Sequence, residues 1–228
     1  MKNSKKFMGL DKNAFLKKTK PFLSDVFEEL ASKECAELSS FESGKTALLI
    51  VDMVNGFVKD GALASGNTLA INEPVAELAK KCTDVGIAVC ALCDAHAEDS
   101  PEFDSYPPHC LAGSVESDIT DEIKAVCDAV RIDKGSVNGI LEKEFTDWLE
   151  KNEFDSFIVV GDCTDLCVLQ LSNSLKAWFN TKNKKCRVVV PVSLVSTYDL
   201  GSHNAELTSL MALYNMSLNG VEVCSEIK

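Results

Sequence analysis

The chain has 228 residues, 46% of them apolar, with 23 Lys and Arg against 35 Asp and Glu. This length and apolar content suit one compact domain with a sizeable core and exclude a fibrous, collagen-like or disordered chain. The net charge of −12 argues against nucleic acid as a partner, because phosphate contacts depend on clustered Lys and Arg.

The first 22 residues carry seven Lys and one Asp, a character unlike the acidic remainder. Lysines interrupt them too often for the apolar run of about 7 to 15 residues that an export signal needs, or the roughly 20 of a membrane span. The expectation is a cytoplasmic protein that does not enter membranes. In that reducing setting the ten cysteines read as small buried hydrophobes, with room for one nucleophile among them.

Between Ser24 and Ser39, Val26, Phe27, Leu30, Ala31, Cys35 and Leu38 recur at helical spacing, with Ser24 as cap and Gly44 closing the segment. A helix laid against the main body is expected there, preceded by a solvated tail over residues 1–12. The Gly44-Lys45-Thr46 tripeptide lacks the Gly that a phosphate-binding loop needs five residues earlier, where Ser39 stands, and it precedes a strand.

From Thr46 onward short runs rich in Val, Ile and Ala alternate with helical stretches. The runs are Ala47–Met53, Ile87–Leu92, Ala129–Ile132, Phe157–Val160, Arg187–Val195 and Val221–Cys224. The helical stretches are Glu73–Val85, Asp118–Cys127, Glu142–Lys151, Asp165–Asn180 and His203–Met216. Strands buried on both faces, joined by helical crossovers, predict an α/β fold: a doubly wound, Rossmann-like, six-stranded parallel sheet with helices on both faces. No internal repeat or linker follows Gly44, so the division is a basic and helical extension over residues 1–45 and one domain over 46–228. No Gly-x-Gly-x-x-Gly follows the first strand, so nothing points to a dinucleotide.

Sites in such sheets lie at the carboxyl ends of the strands. Those ends deliver Asp52, Asp94, Lys134 and the run Gly161-Asp162-Cys163-Thr164 to one edge. Cys167 follows, in the first turn of the helix that Thr164 or Asp165 is placed to cap, where the helix dipole favours thiolate. A thiolate beside a carboxylate is suited to attack on a carbonyl carbon; the alternative is a structural cysteine. Cys90-Ala91-Leu92-Cys93 lies inside a predicted strand, where a redox pair has no helix start to lean on, and reads as core.

Asp94-Ala95-His96 is an extended acid-x-His in which the first and third side chains share a face, so one ion can take both. His109 can close the set after Pro107-Pro108, with Glu102 or Asp104 as a further oxygen ligand. Nitrogen with carboxylate suits zinc, iron or manganese. His203 is expected to cap or open a helix.

With Asp52, Lys134 and Cys167 in that order at successive strand ends, the chain resembles the isochorismatase-like cysteine hydrolases from about Thr46 to Glu226, and its Asp94/His96/His109 loop resembles their nicotinamidase branch. The resemblance implies the isochorismatase-like hydrolase fold and cleavage of a carboxamide, most of all nicotinamide within NAD salvage, through a Cys167 thioester. Asp52, Lys134 and Cys167 are then catalytic, and the backbone N–H groups of Cys163 and Cys167 form the oxyanion hole. The resemblance also implies a cis peptide bond between Asp162 and Cys163. Asp94, His96, Glu102 and His109 hold a divalent metal, zinc first, with iron or manganese as alternatives, and Phe57 and Tyr106 supply aromatic walls. Val54 and Gly56 stand where many nicotinamidases carry Gln and Asp, and Ser136, Val137, Asn138, Gly139 and Ile140 follow Lys134 where they commonly carry aromatic and small residues, which predicts a wider, less aromatic pocket and leaves open a carbamoyl or ureido substrate, or a non-catalytic metal-binding relative. A homo-oligomer is a family expectation.

Overall fold

The computed structural model describes residues 6–228, so residues 1–5 of the expected tail lie outside the described residues. In chain order the elements are α1 (Lys12–Ala31), β1 (Thr46–Val51), α2 (Asn55–Val58), α3 (Gly66–Asp84), β2 (Ala88–Asp94), α4 (Asp121–Lys124), β3 (Val130–Lys134), α5 (Lys143–Asn152), β4 (Ser156–Asp162), α6 (Cys167–Thr181), β5 (Arg187–Pro191), β6 (Val195–Ser196), α7 (Ala205–Leu218) and β7 (Glu222–Cys224). The strands form one parallel sheet in the order β3-β2-β1-β4-β5-β7, with β6 paired to the end of β4.

The apolar runs explain this arrangement. All six residues of β1 are buried, as expected of a central strand covered on both faces. On one face Leu48, Ile50, Ile158 and Val160 pack with Val75, Leu78 and Ala79 of α3. On the other, Leu49, Phe157 and Val159 meet Leu171 and Leu175 of α6, Phe145 of α5 and Met216 of α7. Each such side chain contributes about 1.5–3 kcal/mol by leaving water, and the two layers hold the sheet rigid beneath its loops. The chain winds outward from β1 through β2 to β3, then resumes on the other side with β4. The crevice between the ends of β1 and β4 is therefore the switch point where such folds place ligands.

Among the described residues seven strands are present instead of six. The run Arg187–Val195 breaks after Pro191 into a 3₁₀ turn over Val192–Leu194, and the chain resumes as β6 beside β4. Near the N-terminus the helix is α1, beginning at Lys12 and ending at Ala31. Its start is capped by Asp11, whose Oδ1 accepts from the Ala14 N–H at 3.0 Å, so Ser24 is not a cap. The helix stops because the next residues extend along the chain's end: Ala36 N–H donates to the Glu226 carbonyl, and Lys228 N–H to that of Ala36, each at 2.9 Å. Buried Val26 and Leu30 tie α1 down, with Phe22 edge-on to Tyr214 of α7 at 5.4 Å. Helix α3 starts seven residues earlier than expected, capped by Ser65 and tolerating Pro74, and the expected helix over Asp118–Cys127 is the single turn α4. Among the described residues no helix is long and apolar enough to cross a membrane. All ten cysteines are free thiols.

Candidate active site and metal centre

Asp52 follows β1 at a positive φ of 53°, which turns its carboxylate across the sheet edge. Its Oδ1 accepts the Asp94 backbone N–H at 2.9 Å, and its Oδ2 lies 2.9 Å from Lys134 Nζ. Lys134, at the end of β3, is 1% exposed. Its ammonium also donates to Asp94 Oδ1, to the Ser136 carbonyl at 3.2 Å and to Cys167 Sγ at 3.6 Å. One buried cation thus touches both carboxylates and the thiol. Strand register makes this possible, because β2 pairs Asp94 directly with Lys134 on β3 while β1 lies on β2's other side.

The electrostatics divide these groups. Burial, with the negative charge of Asp94, raises the Asp52 carboxyl to about 7 in spite of Lys134 and the Cys167 thiol, which both favour its charged form. Burial works against the Lys134 ammonium, but Asp52 and Asp94 outweigh it and keep it protonated. For Asp94 burial is likewise opposed by Lys134, and by His109 and His96, and the carboxyl stays below its usual range. Cys167 departs from the sequence expectation. It is the first residue of α6, yet burial pushes its thiol well above the ordinary value, and the nearby lysine only partly offsets that. The helix start does not make a resting thiolate. It leaves a thiol next to a carboxylate whose affinity for protons is near neutrality, which is the pairing a general base requires. Neither Thr164 nor Asp165 caps α6; Leu166 occupies that position without a side-chain bond.

Asp94, His96, Glu102 and His109 converge. One potential ligand atom from each lies within 4.8 Å of the others. The Nε2 atoms of His96 and His109 each lie 3.4 Å from Asp94 Oδ2. His96 is 1% exposed and neither of its ring nitrogens has a hydrogen-bond partner, a costly arrangement unless something else engages it. The Pro107 carbonyl accepts from His109 Nδ1 at 2.8 Å, which leaves Nε2 with a free lone pair facing Asp94. Glu102 is carried by a 3₁₀ turn over Pro101–Asp104 that Ser100 caps. Two imidazoles and two carboxylates with an orphaned buried nitrogen fit a divalent cation.

A pocket lies between the thiol and this cluster. Cys163, Leu166, Cys167, Val137, Tyr198, Asp94, Glu102, His109, Phe57, Leu63 and Tyr106 line it. Phe57 and Tyr106 are the aromatic residues on this lining besides Tyr198. Phe103 adds a ring edge-on to His96 at 5.5 Å and to His109 at 5.6 Å. Of the departures from the nicotinamidase pattern, Val137 lines the pocket and Val54 and Gly56 do not. Val54 is fully buried, and a Cβ at Gly56 would meet Cys110 Sγ at 2.7 Å, so the two departures pack beneath the loop and the pocket keeps aromatic walls. The peptide bond between Asp162 and Cys163 is cis, and the Cys163 carbonyl accepts from the Leu166 and Val168 N–H groups at 3.1 Å each.

Nothing in the sequence pattern singles out Tyr198, whereas Asp162 is among the expected strand-end residues and His203 takes a role other than the one expected. Tyr198 lies just past β6, a strand the sequence reading had merged with β5, so the strand-end rule never reached it. His203 does not cap a helix; Asn204 caps α7, and His203 bonds Asp165 instead. Asp162 is buried at the end of β4, accepting from the Thr68 hydroxyl at 3.0 Å and the Cys163 thiol at 3.1 Å, while burial raises its carboxyl to about 7.

Known proteins point the same way. Residues 46–225 match the isochorismatase domain family. The chain is 31% identical over 219 residues to Nicotinamidase 1 of Arabidopsis thaliana, covering 79% of this chain and 85% of that one. In fold it is similar to the N-carbamoylsarcosine amidase of Thermoplasma acidophilum, with TM-score 0.65, 24% identity and coverage of 79% and 95% of the two chains. It is also similar to the pyrazinamidase of Pyrococcus horikoshii in complex with zinc, with TM-score 0.63, 21% identity and coverage of 78% and 98%. From Thr46 to Ser225, then, this chain is a member of the isochorismatase domain family, and it is a hydrolase.

Proposed function

We propose that the protein is a metal-dependent cysteine amidohydrolase that converts nicotinamide and water to nicotinate and ammonia. The observation that carries this reading is the aromatic-walled pocket with the Asp52–Lys134–Cys167 group on one side and a four-ligand cluster on the other. A flat ring amide placed across it brings its carboxamide to the thiol and its ring to the cluster. The likeness to Nicotinamidase 1 supports the same choice.

In this reading Cys167 Sγ attacks the amide carbon as Asp52 accepts the thiol proton. The ammonium of Lys134, held charged by its two carboxylates, stabilises the sulfur as it becomes thiolate. The oxyanion that forms is met by the backbone N–H groups of Cys163 and Cys167, the latter in a first helical turn whose amides have no partner within the helix. The tetrahedral adduct collapses with cleavage of the C–N bond, Asp52 returns the proton to the departing nitrogen, and ammonia leaves. A water molecule, deprotonated by Asp52, then hydrolyses the thioester to nicotinate and restores the thiol. Asp94, His96, Glu102 and His109 would hold the metal, zinc in the first instance, which when bound supplies a Lewis acid that anchors the ring. Phe57 and Tyr106 would border the ring. Ten free thiols suit a reducing cytoplasm, and the reaction would return nicotinamide towards NAD.

The test is ammonia release from purified protein with nicotinamide, with Cys167→Ala and chelator-treated controls and a parallel panel of carbamoyl and ureido compounds. Release from nicotinamide that both controls abolish is expected. Activity confined to the carbamoyl or ureido compounds would overturn the substrate assignment while leaving the thioester chemistry in place.

A further inference from the structure

The pocket wall beside Cys167 includes Tyr198, and the way this side chain is held is unusual for a loop residue. Its ring is stacked on the imidazole of His203, with centroids 4.1 Å apart and planes 16° from parallel. His203 is fixed at both nitrogens: Nδ1 meets the Tyr198 carbonyl and Nε2 meets Asp165 Oδ2, each at 2.8 Å. Asp165 lies two residues before Cys167, and its other oxygen accepts the Thr197 hydroxyl at 2.7 Å.

The backbone around Tyr198 is pinned on both sides. Thr164 N–H donates to the Ser196 carbonyl at 2.7 Å, and the Asn67 side-chain amide donates to the Thr197 carbonyl at 2.9 Å. Beyond it, Leu200 and His203 exchange two backbone hydrogen bonds, and Asp199 Oδ1 accepts the Ala205 N–H at 2.9 Å. A residue in a connection between a two-residue strand and a helix would ordinarily explore several rotamers. Here the neighbouring imidazole, itself bonded at both ends, leaves the ring one orientation. The restraint reaches the segment carrying the nucleophile through Asp165, so the wall and the thiol are positioned together.

We propose that Tyr198 is a specificity-determining residue that forms a fixed aromatic wall of the pocket and favours a single flat ring, with His203 and Asp165 as the residues that position it. This rests on the reading of the pocket as an amide site, and it adds that the choice between ring and chain amides is made on this wall. A preformed wall favours rigid planar substrates because no loop has to be ordered on binding. An acyclic amide gains little from it, and a two-ring amide collides with it.

The experiment compares wild type with Tyr198→Ala, Tyr198→Phe and His203→Ala on nicotinamide, on an acyclic amide (propionamide) and on a two-ring amide (quinoline-3-carboxamide). Loss of one aromatic contact is worth up to about tenfold. Tyr198→Ala is expected to raise KM for nicotinamide about tenfold with kcat within about threefold, to leave propionamide unchanged, and to improve quinoline-3-carboxamide relative to nicotinamide. Tyr198→Phe should retain wild-type selectivity, and His203→Ala should shift it partway towards that of Tyr198→Ala with little change in propionamide turnover. A general loosening of the fold would lower kcat on all three amides alike. Equal effects of Tyr198→Ala on ring and chain amides would overturn the inference.

Calorimetric binding of the same amides to Cys167→Ala, with and without Tyr198→Ala, separates this inference from the proposed reaction. If wild type fails to hydrolyse nicotinamide but Tyr198→Ala still selectively weakens ring-amide binding, the wall assignment stands and the reaction assignment falls. If ring amides do not bind at all, the wall assignment falls as well.

Discussion

Replacing Lys134 with Met tests the electrostatic design of the site more sharply than removing any other residue. The two side chains are close in length, so the substitution removes a charge with little change in packing. In the native protein one ammonium, 1% exposed, faces Asp52 Oδ2 at 2.9 Å and bonds Asp94 Oδ1. Without it two buried carboxylates confront each other with the Asp94 N–H, the Cys167 thiol and the imidazoles as compensation. Breaking a buried ion pair by deleting one partner costs about 3–5 kcal/mol, and here a single deletion leaves two acids unpaired. For a chain of this size about 2–4 °C accompanies each kcal/mol, so the apo-protein Tm should fall by roughly 6–20 °C. The loss should depend on pH. Asp52 already holds its proton to about 7, above its unfolded value of 3.8, and the variant raises it further. A carboxyl with a raised folded pKa loses stability as pH rises, so the deficit should be greatest near pH 8 and shrink as the solution is acidified towards pH 5. Thermal unfolding followed by circular dichroism at pH 5, 6.5 and 8 measures this. A Lys134→Met protein that melts with wild type at pH 8, or whose deficit grows on acidification, would refute the reasoning.

Other consequences follow from particular contacts. Gly56→Ala should cost about 1–3 kcal/mol by overpacking, because the new Cβ would meet Cys110 Sγ at 2.7 Å and the Glu116 carbonyl at 3.2 Å; an unchanged Tm would show that this loop yields. Asp162 is held neutral by burial to about 7, so its contribution is fully present below about pH 4 and lost as pH rises through about 7, amounting to roughly 4 kcal/mol. Asp162→Asn keeps an acceptor for Thr68 and should flatten the fall in stability between pH 4 and 8, measured by urea denaturation; an unaltered slope would place the titration elsewhere. His96→Ala removes an imidazole with two unpartnered nitrogens and should lower bound zinc, read by elemental analysis after dialysis, from one equivalent per chain towards none. Full zinc occupancy in that variant would disconnect His96 from the metal.

Much of this arrangement can be read from the chain because β1 to β4 are continuous apolar runs that end in a chemically distinctive residue. Asp52, Asp94 and Lys134 lie at strand ends for that reason, and parallel register then brings them together. Sites that depend on burial were less accessible. Position in a first helical turn predicts a lowered thiol pKa at Cys167, whereas its desolvation, which only the packed structure reveals, decides the opposite. Helical spacing also misled where tertiary pairing overrode it: the segment after Ala31 extends to pair with residues 226–228 instead of continuing as helix. The contacts of Tyr198, Asp165 and His203 arise from a tight turn between Leu200 and His203, a geometry with no periodic signature. Spacing alone does not tell which departures from a shared motif reach the pocket: Val54 and Gly56 pack in the protein interior, whereas Val137 lines the pocket.

The central claim is that Cys167 carries the acyl group during turnover. Acid quenching of a single turnover with nicotinamide, followed by proteolysis and mass spectrometry, tests it directly. A nicotinoyl mass on the peptide containing Cys167 is expected, appearing with a burst of ammonia and absent from Cys167→Ala. Ammonia released at wild-type rate by Cys167→Ala, with no acylated peptide in either protein, would contradict it.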